Sequence, residues 1–114
     1  MRLTELLSFL NLTKKKTSKE QAKLFLTGSS DNNIFFANNG MMIRSLYELR
    51  DAFITMSDDT FEHHVNSNRN DFSVWIKDIH KDEQLAQDML NAKNRFEAFM
   101  LINKRLAYLE KIIG

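Results

Sequence analysis

Apolar residues recur at helical spacing at the start of the chain. Four leucines fall at positions i, i+3, i+4 and i+7: Leu3, Leu6, Leu7 and Leu10. This spacing puts them on one face of a short amphipathic helix. A run of charged residues that includes Lys14, Lys15 and Lys16 then ends the apolar stripe. The pattern predicts a basic N-terminal helix or arm over residues 1–28.

Two short apolar runs predict a β-hairpin. Residues 34–36 and 41–43 flank the sequence Asn38-Asn39-Gly40. Asn-Gly favours a hairpin turn because both residues tolerate positive φ. A two-stranded hairpin is only marginally stable alone, so we expect a third strand at residues 22–27 or a cover of helices.

From Ser45 onward, helix-capping residues alternate with apolar stripes. Ser45 and Glu48 match the capping box of a helix N-terminus. Asn70 or Asp71 can cap a later helix, whose inner face would contain Phe72, Trp75, Ile76 and Ile79. The hairpin and these helices predict a folded body over residues 29–92.

The longest apolar stripe lies at the C-terminal end. Its members are three or four residues apart: Leu85, Met89, Ala92, Phe96, Phe99, Ile102, Leu106, Leu109 and Ile113. The spacing is close to a heptad repeat and predicts a long helix over residues 93–114, with a break at residues 91–94, where Asn is a mediocre helix former.

The four consecutive apolar residues 99–102 cover more of the helix circumference than one buried face needs. Extra apolar surface of this kind is usually buried against a partner. Because two-fold pairing is the commonest oligomer, we expect a homodimer. The predicted interface comprises Phe96, Phe99, Ile102, Leu106, Leu109 and Ile113.

Together these elements predict one domain over residues 1–114, of the α+β class and mostly α. An N-terminal helix and a β-hairpin or small antiparallel sheet should precede four or five helices, the last of them long. The length suits a single domain, and the sequence contains no Pro and only three Gly.

The amino-acid composition excludes several kinds of functional site. A hydrophobic content of 43% is typical of a folded protein, and the sequence has no Cys. Disulfides, zinc sites with thiolate ligands and cysteine nucleophiles are therefore excluded. No stretch approaches the roughly 18 apolar residues of a membrane span, and we expect a cytoplasmic location.

Charge is distributed unevenly along the chain. Residues 1–28 carry six Lys or Arg against two Glu, residues 29–92 carry five basic against eleven acidic residues, and residues 93–114 carry five against two. An acidic body with basic ends is not the broad basic face of a dedicated nucleic-acid-binding protein. An accessory protein that binds nucleic acid or a membrane surface through the basic arm remains the alternative.

Residues 63–75 contain the main candidates for a metal-binding or catalytic site. Adjacent His63 and His64 would point about 100° apart on a helix, and the i, i+4 histidine pair of helical zinc sites is absent. Ser67 and Ser73 lack any motif that would make either a nucleophile. We therefore expect no catalytic residues, no metal and no cofactor, and predict a non-enzymatic protein-interaction or scaffold module that binds protein, chiefly itself.

The same region resembles a known family. "IFFANNGMMIRSLYEL" and "MSDDTFEHHVNSNRNDFSVWIKDIHKDEQLA" look like a family of short prokaryotic, largely archaeal proteins of unknown function that share F-x-x-HV and NDF-x-x-W motifs. The resemblance covers about residues 34–90. It implies a compact domain and supplies no reaction.

Five residues of these motifs form what we call the elbow motif: Phe61, His64, Asn70, Asp71 and Trp75. A histidine that bonds to a loop, a helix cap and a large aromatic side chain can fix the angle between two short helices. The alternative interpretation is a small polar pocket that receives a ligand or a peptide end.

Overall fold

The computed structural model describes residues 16–28 and 31–114. Within these ranges there are six α-helices: α1 (Lys19–Leu26), α2 (Leu46–Thr55), α3 (Asp58–His64), α4 (Asp71–Trp75), α5 (Glu83–Met89) and α6 (Arg95–Ile113). Strands β1 (Phe35–Phe36) and β2 (Met42–Ile43) pair antiparallel, as do β3 (Val65–Asn66) and β4 (Arg69–Asn70). A 3₁₀ turn covers Asp31–Asn33, and a π-helix over Ile76–His80 continues α4. The predicted class, α+β and mostly α, is confirmed, while the predicted helix at Leu3–Leu10 lies outside the described residues.

Each α-helix begins at a side-chain cap, which satisfies a backbone N–H that has no partner inside the helix. The six capping residues are Ser18, Ser45, Ser57, Asn70, Asp82 and Asn94. At Ser45 only half of the predicted capping box forms. Its hydroxyl accepts from the Glu48 N–H at 3.1 Å, but the Glu48 carboxylate accepts from the Arg44 N–H at 2.7 Å.

The predicted hairpin forms across Gly40, whose φ of +90° is the conformation that favours glycine. Phe35 pairs with Ile43, which is buried, and Phe36 pairs with Met42 on the exposed face. Residues 22–27 do not add a third strand, because residues 22–26 belong to helix α1. Helices cover the inner face instead.

Helix α6 is the central element and packs against α1, α2 and α5. The predicted break before it is confirmed, since α5 ends at Met89 and α6 begins at Arg95. Four residues on its inner face are at most 1% exposed: Ala98, Ile102, Leu106 and Leu109.

This burial changes the predicted dimer interface. Ile102, Leu106 and Leu109 lie in the core of the single chain, so in this fold they are not available to a partner. Phe99 and Ile113 are partly buried. Of the six interface residues, only Phe96 is largely exposed, at 67%.

Candidate functional site

His64 connects the β1–β2 turn to the start of α4. Its Nε2 accepts a hydrogen bond from the Asn38 backbone N–H at 3.0 Å, and its Nδ1 lies 3.0 Å from Asp71 Oδ2. Because Nε2 accepts, the neutral ring carries its proton on Nδ1, which donates to the carboxylate. The buried imidazole therefore joins two segments that are distant in sequence.

The other elbow residues are also held by internal contacts. Asn70 Oδ1 accepts from the Ser73 N–H at 3.0 Å, and Asn70 Nδ2 donates to the Met89 carbonyl at 3.2 Å. Trp75 Nε1 donates to the Asn33 carbonyl at 2.9 Å. Phe61 is buried, with its ring centroid 6.0 Å from that of Phe72. Each polar side chain of the motif thus has at least one partner outside its own helix.

This geometry does not favour catalysis at His64. A general base needs a nitrogen lone pair directed at a substrate proton, and that of Nε2 is already used by Asn38. Ser73 Oγ donates to the Ala86 carbonyl at 2.6 Å, away from the imidazole. In residues 16–28 and 31–114, no group of three or more His, Asp or Glu side chains is placed to hold a metal ion.

A buried ion pair that the sequence did not reveal lies between α5 and α6. Asp82 is fully buried, and its carboxylate accepts from Arg105 Nε at 2.8 Å and from Arg105 Nη2 at 2.9 Å. Asp82 also caps α5 by accepting from the Leu85 N–H at 3.1 Å. The one available signal was the position of Arg105 next to Leu106 and three residues beyond Ile102, on the buried side of α6.

A polar pocket of about 590 Å³ adjoins this ion pair between α1, α5 and α6. Beside the pocket, the segment that precedes α1 contacts α6: Arg105 Nη2 lies 3.4 Å from Thr17 Oγ1, and the Thr17 N–H lies 3.5 Å from the Tyr108 hydroxyl. Lys16 lines the pocket, whereas Lys14 and Lys15 of the predicted basic arm lie outside the described residues.

An apolar groove of about 500 Å³ lies between α2 and the start of α6. Arg95 forms one wall, donating to the carbonyls of Phe53 and Ile54 at 3.1 Å and to Asp58 at 2.8 Å. These bonds cap the C-terminus of α2, where carbonyls lack helical partners. Ile54, Phe96 and Phe99 line the groove. Together with Met100, which lies one helical turn beyond Phe96 on α6, they form what we call the α6 patch.

His80 joins the π-helix to α1. Its ring is 3% exposed, its Nδ1 donates to the Phe25 carbonyl at 3.1 Å, and it meets Trp75 edge-on at 4.6 Å. Within residues 16–28 and 31–114, no group is hydrogen-bonded to the buried Nε2. Burial lowers the pKa of His80 below its ordinary value of 6.5, against the smaller opposing effects of the Phe25 and Thr27 carbonyls and of Asp82.

We expect this shift to make stability fall in mild acid. Above pH 6.5 His80 is neutral in both states, whereas below it the unfolded chain takes up a proton that the folded chain resists. The free energy of unfolding should therefore fall as the pH drops from 6.5 towards the folded-state pKa of His80. Urea unfolding across this range should show a shallower fall for His80→Gln than for the wild type. His63→Gln, at an exposed position, is the control, and identical pH profiles for all three proteins would contradict the prediction.

No helix in the described ranges has the length and apolar character needed to cross a membrane. No protein-family model, curated protein or solved structure matches the chain. The resemblance to the prokaryotic family therefore stays a prediction.

Proposed function

We propose that the protein is a non-enzymatic interaction module that self-associates through the α6 patch. The observation that carries this proposal is the exposure of Ile54 (57%) and Phe96 (67%), which line one groove, and of Met100 (54%), one helical turn beyond Phe96. Scattered apolar residues are normal on a protein surface, but a contiguous group beside a groove is typical of a contact site. The internal use of both His64 nitrogens supports a role without catalysis.

The outward face of α6 can pair with itself. Phe96, Met100 and Ala107 lie at i, i+4 and i+11, so they share the face opposite to the buried stripe of Ile102 and Leu106. A small residue at position 107 lets a second helix approach closely. An isologous contact needs one continuous surface of this kind on each copy.

Charge favours an antiparallel arrangement of two α6 helices. Asp58 lies beside the start of α6, where it is paired with Arg95, and the neighbouring Asp59 is exposed. The second half of α6 exposes Lys104 and Lys111. Two antiparallel copies would place the acidic end of one against the basic end of the other, and complementary charges of this kind set orientation and register.

Met100→Glu tests the proposal against a matched control, Leu90→Glu, because both side chains are 54% exposed. We expect a dimer for the wild type, a dimer for Leu90→Glu and a monomer for Met100→Glu. A charge buried without a partner should raise the dissociation constant by about 100-fold or more, the equivalent of about 3 kcal/mol.

The measurement is light scattering after size-exclusion chromatography at several protein concentrations. A monomeric mass for the wild type throughout, or a dimer that survives Met100→Glu, would refute self-association through this patch. Truncation before α6 is not a usable test, because it removes Ile102 and Leu106 from the core.

A further inference from the structure

We propose that the pocket between α1, α5 and α6 binds a small organic phosphate. Its volume of about 590 Å³ lies within the range of about 300–1,000 Å³ typical of ligand sites. The lining residues are Lys16, Thr17, Gln21, Phe25, Lys81, Asp82, Glu83, Gln84, Gln87 and Arg105. The site is independent of the α6 patch, so the proposed function and this inference can fail separately.

Arg105 provides a fixed donor in the lining of the site. Asp82 holds Nε and Nη2 of its guanidinium, which also lies 5.9 Å from the Phe25 ring centroid and 5.2 Å from that of Tyr108. Among the described residues, none accepts a hydrogen bond from Nη1. A guanidinium fixed in this way can bind a phosphate oxygen with little further loss of side-chain freedom.

Two lysines add positive charge to the lining. Lys16 and Lys81 both line the pocket and are exposed to solvent. Lys81 has a φ of 64°, a left-handed conformation that residues other than Gly, Asn and Asp rarely adopt. Since Arg105 and Asp82 are paired with each other, the described lining leaves two lysines against the carboxylate of Glu83. The excess of positive charge favours an anion.

The remaining lining indicates that the anion carries an organic group. Phe25 contributes an apolar ring to the pocket. The Gln21 side-chain oxygen accepts from the Ser18 N–H at 2.9 Å, so its amide NH₂ is available as a donor. An apolar surface beside cations and amide donors suits a phosphate ester better than free phosphate.

Isothermal titration calorimetry at low ionic strength tests the assignment with adenosine monophosphate and glucose 6-phosphate as probes. We expect at least one probe to bind the wild type, and the double variant Lys16→Gln/Lys81→Gln to weaken that binding about 10-fold or more. Lys93→Gln removes one positive charge from an exposed position outside the pocket and should leave binding unchanged. Because both pocket lysines are exposed, the double variant should keep the wild-type circular dichroism spectrum. Replacement of Arg105 is avoided, since it would leave Asp82 buried without its partner.

Three results would overturn the proposal. They are no binding of either probe, a loss in Lys93→Gln equal to that in the double variant, or equal binding of adenosine and adenosine monophosphate. A short oligothymidylate provides a further arm: if it binds while neither small phosphate does, the ligand is a nucleic acid and the assignment to a small molecule is wrong.

Discussion

Asp82→Ala should lower the free energy of unfolding by about 3–5 kcal/mol, the cost of removing one partner from a buried ion pair. Asp82 is fully buried and the Arg105 side chain is 11% exposed, so water can replace little of the lost interaction. The variant also removes the cap of α5, because the Leu85 N–H loses its acceptor. Both effects act in the same direction.

Urea unfolding followed by circular dichroism measures this loss, and two further variants separate its causes. Asp82→Asn can keep the cap while it removes the charge. The decrease in its free energy of unfolding should therefore come mainly from the loss of the ion pair. Asp51→Ala breaks a pair with Arg50 in which the Asp51 side chain is 65% exposed, and such surface pairs contribute about 1 kcal/mol or less. If Asp82→Ala costs no more than Asp51→Ala, the ion pair does not stabilise the fold as we infer.

The local features of the fold could be predicted because each depends on neighbouring residues. Asn39 and Gly40 specify the β1–β2 turn, while Ser45 and Asn70 cap the helices that follow them. The break before α6 also follows from a local cause, since Asn94 accepts from the Glu97 N–H as a cap. The residues that form such a turn or cap lie within a few positions of one another, so the sequence pattern contains all of them.

Long-range features were missed for a different reason. Hydrophobic periodicity indicates that a helix face is buried but not which surface buries it. The spacing of Ile102 and Leu106 therefore does not distinguish a partner's surface from the core of the same chain. The pairing of Asp82 with Arg105 joins residues 23 positions apart, and the position of Arg105 on the buried side of α6 does not identify its partner. The second bond of His64 uses a backbone N–H of Asn38, and a backbone donor has no sequence signature.

The elbow motif could be predicted from the sequence only in part. Its residue types predicted a helix junction, and the structure brings His64 and Asp71 to 3.0 Å. The contacts that make the junction rigid come from elsewhere in the chain: Phe35 lies 5.1 Å from the His64 ring, and the Asn33 carbonyl accepts from Trp75. A pattern confined to residues 61–75 contains neither partner.

Phe72→Ala should also lower the free energy of unfolding by about 3–5 kcal/mol, because it opens a cavity in a closely packed core. The Phe72 ring is fully buried and is the common neighbour of four other rings. Its centroid distances are 4.9 Å to Phe35, 5.1 Å to Phe53, 6.0 Å to Phe61 and 5.3 Å to His64. Loss of the ring therefore weakens the contact of the hairpin with α2, α3 and α4 at once.

Phe36→Ala is the matched control, since it deletes the same side chain at a position that is 64% exposed. Surface substitutions away from special features usually change stability by no more than about 0.5 kcal/mol. Urea unfolding should therefore separate the two variants by about 3 kcal/mol or more, and the near-ultraviolet circular dichroism of Phe72→Ala should lose aromatic signal. Equal stability of the two variants would mean that the aromatic cluster does not hold the elbow motif in place. His64 would then need another source of rigidity, and its assignment to structure over ligand binding would lose its physical basis.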